Sequence, residues 1–186
     1  MKITVVVDMQ NDFISGVLGS KAARRIVPKV AEEIAKGGSC LYVCTMDTHG
    51  SSERLMRDNP DSLEHLKLPE HCMEGTPGAE IEPRIAEAIR RCGAVAVCSH
   101  KNTFANMQHL ARDILKFLPA NPGKDDLIEI YGLCTDICVI SNALLLRSCF
   151  PDVPIVVRSG LCAGTSAKAH KAALTVMKSC LIDVTD

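Results

Sequence analysis

Leu127-Ile128-Glu129-Ile130-Tyr131-Gly132-Leu133-Cys134-Thr135-Asp136-Ile137-Cys138-Val139 passes from a largely apolar run through a glycine turn into the start of an apolar helix. A switch from strand-like to helix-like patterning over so few residues marks a strand–turn–helix junction. The same alternation recurs on either side. Strands are predicted over 3–7, 40–46, 94–99, 127–131, 154–158 and 180–184, and helices over 28–36, 79–91, 106–118, 135–148 and 166–179. Residues 3–7 (Ile-Thr-Val-Val-Val) form the kind of run that a strand buried on both faces shows. Six strands separated by helices predict one doubly wound α/β domain over 1–186, with a six-stranded, mostly parallel sheet flanked by helices on both faces. Residues 47–78 lack lasting periodicity and are expected to be a long loop with one helical turn. Such loops in a compact domain are usually functional.

The composition narrows the function. Of 186 residues, 47% are hydrophobic and 23% charged, which excludes disordered and fibrous classes. Lys plus Arg is 21 against 22 for Asp plus Glu, so no basic surplus points to nucleic acid or a membrane surface. No apolar stretch reaches the roughly 18–20 residues needed to span a bilayer. Ten cysteines in a chain of this size raise the possibility of a disulfide framework. The opening Met1–Asp8, however, has a short apolar run ended by an acid, not a signal-peptide layout. The expectation is a reducing cytoplasm with free thiols, most of them small apolar packing residues such as Cys40, Cys44, Cys98 and Cys180.

Ligands of a doubly wound sheet bind beyond the carboxyl ends of its strands. There is neither a G-x-G-x-x-G after the first strand nor a G-x-x-x-x-G-K-[ST] anywhere, so a nucleotide site has little support. After the fourth strand, Thr135 or Asp136 can cap the following helix, which places Cys138 in or beside its first turn. Free N–H groups and the positive dipole end there favour a thiolate, and the neighbouring amides can form an oxyanion hole. The alternative is that Cys134 and Cys138 are buried helix-start residues. Asp8 ends the first strand and can act as a base, while Lys101 follows the third and can hold an acid or a thiolate charged. Either alone would pass for half of an ion pair; acid, lysine and cysteine on one sheet edge supply base, electrostatic partner and nucleophile. In the long loop, Asp47-Thr48-His49, Glu64 and His71 suit zinc, or iron or manganese, unless the histidines are merely solvated.

These residues resemble the nicotinamidases of the isochorismatase-like cysteine hydrolase superfamily. Asp8-Met9-Gln10-Asn11-Asp12-Phe13 is similar to the opening D-x-Q-N-D-F, Lys101 stands where the lysine does, and Gly132–Val139 matches G-x-x-T-D-x-C-V. Asp47-Thr48-His49 and His71-Cys72-Met73-Glu74-Gly75-Thr76-Pro77-Gly78-Ala79-Glu80 are similar to the metal-loop pair D-x-H and H-C-x-x-G-T-x-G-A-E.

The resemblance implies a triad of Asp8, Lys101 and Cys138. It also implies a cis peptide at Leu133–Cys134 that aims the amides of Cys134 and Cys138 at the oxyanion, and metal ligands Asp47, His49 and His71, with Glu64 as a fourth. Phe13, Phe104, Leu133 and Cys134 would bind substrate. The implied reaction is hydrolysis of nicotinamide to nicotinate and ammonia through a thioester, with pyrazinamide also accepted. Two other readings stand beside it: hydrolysis of another small amide or carbamoyl compound, favoured by a composition without Trp, and a silent thiol-sensing or partner-binding domain. The expected partners are a small amide and further copies of the chain, meeting through the apolar residues of 139–146 and 150–154.

Overall fold

The computed structural model describes residues 1–50 and 63–186; the part of the expected loop over 51–62 lies outside them. The elements, in order, are β1 (Lys2–Val7), α1 (Asn11–Ile14), α2 (Lys21–Lys36), β2 (Leu41–Asp47), α3 (Leu63–Lys67), α4 (Pro83–Arg91), β3 (Val95–Lys101), α5 (Leu110–Leu115), β4 (Leu127–Leu133), α6 (Ile140–Cys149), β5 (Ile155–Ala163), α7 (Ala167–Ser179) and β6 (Asp183–Thr185). The six strands form one sheet in the order β3-β2-β1-β4-β5-β6. Every pairing is parallel, where a mostly parallel sheet was expected.

Ile3, Val5, Val6 and Val7 are at most 1% exposed, as their run requires. From β1 the chain steps outward to β2 and β3, then crosses back to β4, β5 and β6. Right-handed crossovers in those two directions place α2 and α4 on one face and α5, α6 and α7 on the other. The packing of α2 on α4 and of α6 on α7 agrees.

Several boundaries move for identifiable reasons. α2 begins at Lys21 rather than 28, because the Ser20 hydroxyl accepts the Ala23 N–H and caps it; Pro28 lies inside the helix. The helix expected over 79–91 is a single 3₁₀ turn (Pro77–Ala79) followed by α4, capped by the Glu82 carboxylate on the N–H groups of Arg84 and Ile85. The helix expected over 106–118 shrinks to Leu110–Leu115, since Asn106 uses its side chain to bind Ser99, His100 and the His109 N–H. β5 continues past Gly160 to Ala163, and β6 is confined to Asp183–Thr185.

Two expectations about the surface are corrected. Cys40, Cys98 and Cys149 are exposed rather than packed; Cys98 lies on β3, an edge strand whose residues Val95, Ala96, Cys98 and His100 are open. In the expected assembly surface, Val139, Ala143, Leu146, Phe150 and Val153 are buried within the chain itself. Among the described residues no helix is long and apolar enough to cross a membrane.

Candidate functional site

Strand order reverses between β1 and β4, and a crevice outside their carboxyl ends is the place where such sheets take ligands. Asp8 follows β1 at φ 47°, a left-handed conformation that Asp tolerates better than most residues. Gly132, near the end of β4, has φ 132°, and a Cβ there would lie 2.1 Å from the Val7 carbonyl oxygen. Only glycine lets β4 approach β1 this closely just before the turn that carries Cys138. The Leu133–Cys134 peptide is cis, as the resemblance implies. Thr135–Val139 then forms a π-type turn rather than the first turn of a regular helix.

Lys101 is the last residue of β3 and pairs in register with Asp47, the last of β2. Its Nζ lies 2.8 Å from Asp8 Oδ2, 3.4 Å from Asp47 Oδ1 and 3.7 Å from Cys138 Sγ. The three predicted catalytic residues therefore meet, and all are buried: Asp8 at 0% exposure, Lys101 at 4% and Cys138 at 5%. The Thr45 hydroxyl donates to Asp8 Oδ1 at 2.6 Å.

Burial raises the Asp8 carboxyl above its ordinary range, although the Lys101 charge opposes it. Burial would raise Asp47 too, but the Lys101 charge and the adjoining His49 and His71 imidazoles outweigh it and hold that carboxyl well below its usual range. Burial alone would lower Lys101; Asp8, Cys138 and Asp47 instead keep it charged. The Cys138 thiol is pushed up by burial against the pull of Lys101. Burial thus opposes the thiolate that Lys101 and the free N–H groups of the turn favour, which leaves room for the expected base, Asp8, to take the thiol proton.

The metal-loop residues also meet. Asp47, His49, Glu64 and His71 offer ligand atoms that all lie within 4.8 Å of one another. The Nε2 atoms of His49 and His71 stand 3.3 and 3.4 Å from Asp47 Oδ2, and each is 3.9 Å from Glu64 Oε1. A tetrahedral ion with bonds of about 2.0–2.2 Å needs ligand atoms about 3.3–3.6 Å apart, so the donor set fits such an ion with Glu64 slightly withdrawn. His71 Nδ1 is 2.8 Å from the Pro69 carbonyl oxygen. A carbonyl only accepts, so Nδ1 carries the proton and Nε2 offers its lone pair to the cluster. Cys72 is fully buried beside these ligands but is outside the group.

A cavity of about 120 Å³ joins the two clusters. Phe13, Leu18, Leu68, Phe104 and Ile137 give it apolar walls, and Asp47, Glu64, His71, Cys134, Cys138 and Thr165 also line it. Phe13 packs its ring edge against His71 at 5.5 Å, and Phe104 is 44% exposed. Leu133, expected in the pocket, is buried in β4 and is not among the lining residues.

Sequence reasoning passed over several residues that build this site. Gln10 donates to the carbonyls of Asp47 (2.7 Å) and Ala79 (2.8 Å) and accepts the Asp47 N–H (2.8 Å), tying the end of β1 to the metal loop. Asp12 accepts the Cys72 N–H at 2.7 Å, which fixes the segment carrying His71. Both lie in the D-x-Q-N-D-F stretch, so a buried amide and acid just after a strand end were the available signal.

Comparisons with known proteins bear on the family and the fold. A model of the isochorismatase domain matches residues 2–186. The chain is 28% identical over 199 residues to a nicotinamidase/pyrazinamidase of Mycobacterium tuberculosis, covering 99% of this chain and 98% of that protein. It resembles a zinc-complexed pyrazinamidase of Pyrococcus horikoshii (TM-score 0.76, 26% identity, 100% and 98% of the two chains). It also resembles a nicotinamidase/pyrazinamidase of Bacillus subtilis in fold (TM-score 0.81, 23% identity, 100% and 99%).

Proposed function

The chain belongs to the isochorismatase domain family of hydrolases, and from that premise we propose that it is a cysteine amidohydrolase converting nicotinamide and water to nicotinate and ammonia. The observation that carries this reading is the single cavity that both Cys138 and the cluster of Asp47, Glu64 and His71 line. A nicotinamidase/pyrazinamidase relative aligned over 99% of the chain supports the choice of amide.

Asp8 takes the proton of Cys138, and the sulfur attacks the carboxamide carbon. The amides of Cys134 and Cys138 receive the oxyanion. As the tetrahedral intermediate collapses, Asp8 returns the proton to the leaving nitrogen and ammonia departs, leaving a thioester. Asp8 then deprotonates water for attack on that thioester, and nicotinate leaves as the Cys138 thiol is restored. Lys101 keeps its charge between Asp8 and Cys138 throughout, offsetting the negative charge that moves between them. Asp47, His49, His71 and Glu64 would hold a divalent metal, zinc before iron or manganese, which when bound would supply a Lewis acid to orient the pyridine nitrogen. Phe13 and Phe104 flank the ring, and Cys134 lines the pocket beside the nucleophile.

A second reading keeps the mechanism and changes the substrate. With Phe13 and Phe104 the only aromatic carbocycles in the cavity wall among the described residues, the second 44% exposed, another small amide or a carbamoyl compound can enter. Ammonia release from nicotinamide, pyrazinamide and a carbamoyl compound, each before and after chelation, separates the readings. Turnover of the two pyridine-type amides that falls on chelation supports the first; metal-independent turnover of the carbamoyl compound alone supports the second. Silence on all three returns the chain to the thiol-sensing reading, which the buried Asp8–Lys101–Cys138 contacts disfavour. Ten free thiols support a cytoplasmic setting, and the open edge strand β3 supports self-association, which sedimentation would measure.

A further inference from the structure

We propose that Thr135 and Asp136 clamp the nucleophile turn to the β5–α7 connection, and that His170 and Thr165 are thereby positioning residues for the amides of Cys134 and Cys138. The proposal rests on the reading of Cys138 as nucleophile.

The turn needs external support. The Cys134 carbonyl accepts both the Ile137 N–H (3.1 Å) and the Val139 N–H (3.0 Å), and the Thr135 carbonyl accepts the Ile140 N–H. A π-type turn is wider and less common than an α-turn, and its amide directions depend on what holds its two ends. Its C-terminal end is fastened by Asn142, whose Nδ2 donates to the Cys138 carbonyl at 2.8 Å and to the Phe104 carbonyl at 3.2 Å.

The N-terminal end is fastened by two side chains reaching the same neighbour. The Asp136 carboxylate accepts the Thr165 N–H at 2.8 Å and also the Thr165 hydroxyl. Thr135, fully buried, places Oγ1 2.8 Å from His170 Nδ1, on the first turn of α7. Between these contacts lies Gly164, where a Cβ would stand 2.5 Å from Asp136 Oδ1 and 3.0 Å from the His170 Cβ. The connection therefore runs bare against the turn. Thr165 also lines the cavity, so the clamp and the pocket share a residue. Two adjacent residues thus anchor the stretch between Cys134 and Cys138, whose amides must converge on one oxygen. A shift of about 1 Å in such a group can cost about 100-fold in rate.

The test combines amide hydrogen exchange, read on the peptide covering 134–139, with steady-state kinetics of ammonia release from nicotinamide. His170→Ala and Thr165→Val are each expected to raise exchange in that peptide while the β1 and β4 core peptides stay protected, and His170→Ala, outside the cavity wall, to lower kcat about 10- to 100-fold with KM unchanged. His170→Asn, whose side chain can place a polar atom near the Nδ1 position, is expected to recover most of both effects. Unchanged exchange in 134–139 would overturn the clamp, as would a His170→Asn variant no better than His170→Ala. A fall in kcat accompanied by loosening of the whole sheet would also overturn it, because the residues would then be merely structural. If the wild type releases no ammonia from nicotinamide while exchange responds as described, the clamp stands and the substrate reading falls.

Discussion

Asp8, Lys101 and Cys138 stand at the ends of β1 and β3 and in the turn after β4, and are at most 5% exposed. The metal-capable group is built differently. Only Asp47 stands on a strand; His49 and His71 lie on loop held by the His49–Met73 bridge and by Asp12, and Glu64 sits on the five-residue helix α3 with 18% of its side chain exposed. The trio carries its own compensating charge, one lysine between a carboxylate and a thiol, whereas the loop cluster brings two carboxylates and two imidazoles to a point that suits a cation. The Asp47–Lys101 register pair joins the halves. The chemistry is therefore expected to be set by the sheet, and the orientation of substrate by an ion that the loop recruits.

Variants in the trio should have the larger effects. Asp8→Asn removes the base while leaving an oxygen to accept the Thr45 hydroxyl, and ammonia release should fall about 10³-fold. In the wild type, activity needs Asp8 ionised, and its carboxyl lies above the ordinary range. The acid limb of kcat/KM should accordingly lie at higher pH than for an exposed carboxylate, and a limb at or below about pH 4 would contradict the assignment.

Lys101→Met comes next. It leaves Asp8 and Asp47 buried without their cation, which should cost about 3–5 kcal/mol and lower the melting temperature by about 10 °C. Any residual activity should show its acid limb moved to still higher pH, because the group that opposes burial at Asp8 is gone. A variant as stable as the wild type would show that Lys101 is not the charge that holds this centre together.

On the loop side the effects should be smaller and should appear in metal content first. Glu64→Gln, at the more distant and more exposed ligand, should weaken metal binding about 10-fold with kcat on the metal-loaded enzyme nearly intact. A fall in kcat as large as that of Asp8→Asn would break the division between the two halves.

The sequence exposed the trio because each member sits where a strand pattern stops, and strand ends are what a doubly wound sheet turns toward its ligand. It exposed the metal group through the short D-x-H spacing and a second histidine in an unpatterned loop. It did not expose Thr45, which reaches Asp8 only because β1 and β2 pair with Val7 opposite Thr45. Nor did it expose Thr165 or Ile137 in the cavity wall, since the first depends on β5 running on to Ala163 past a glycine that ordinarily suggests a break.

The most direct test of the account measures ammonia release from nicotinamide and metal content on one preparation of the wild type and of Cys138→Ala. The account predicts that Cys138→Ala loses turnover by at least about 10³-fold while binding the same amount of metal per chain as the wild type. Near-normal ammonia release from Cys138→Ala would contradict it, because the sulfur would then not be the group that attacks the amide.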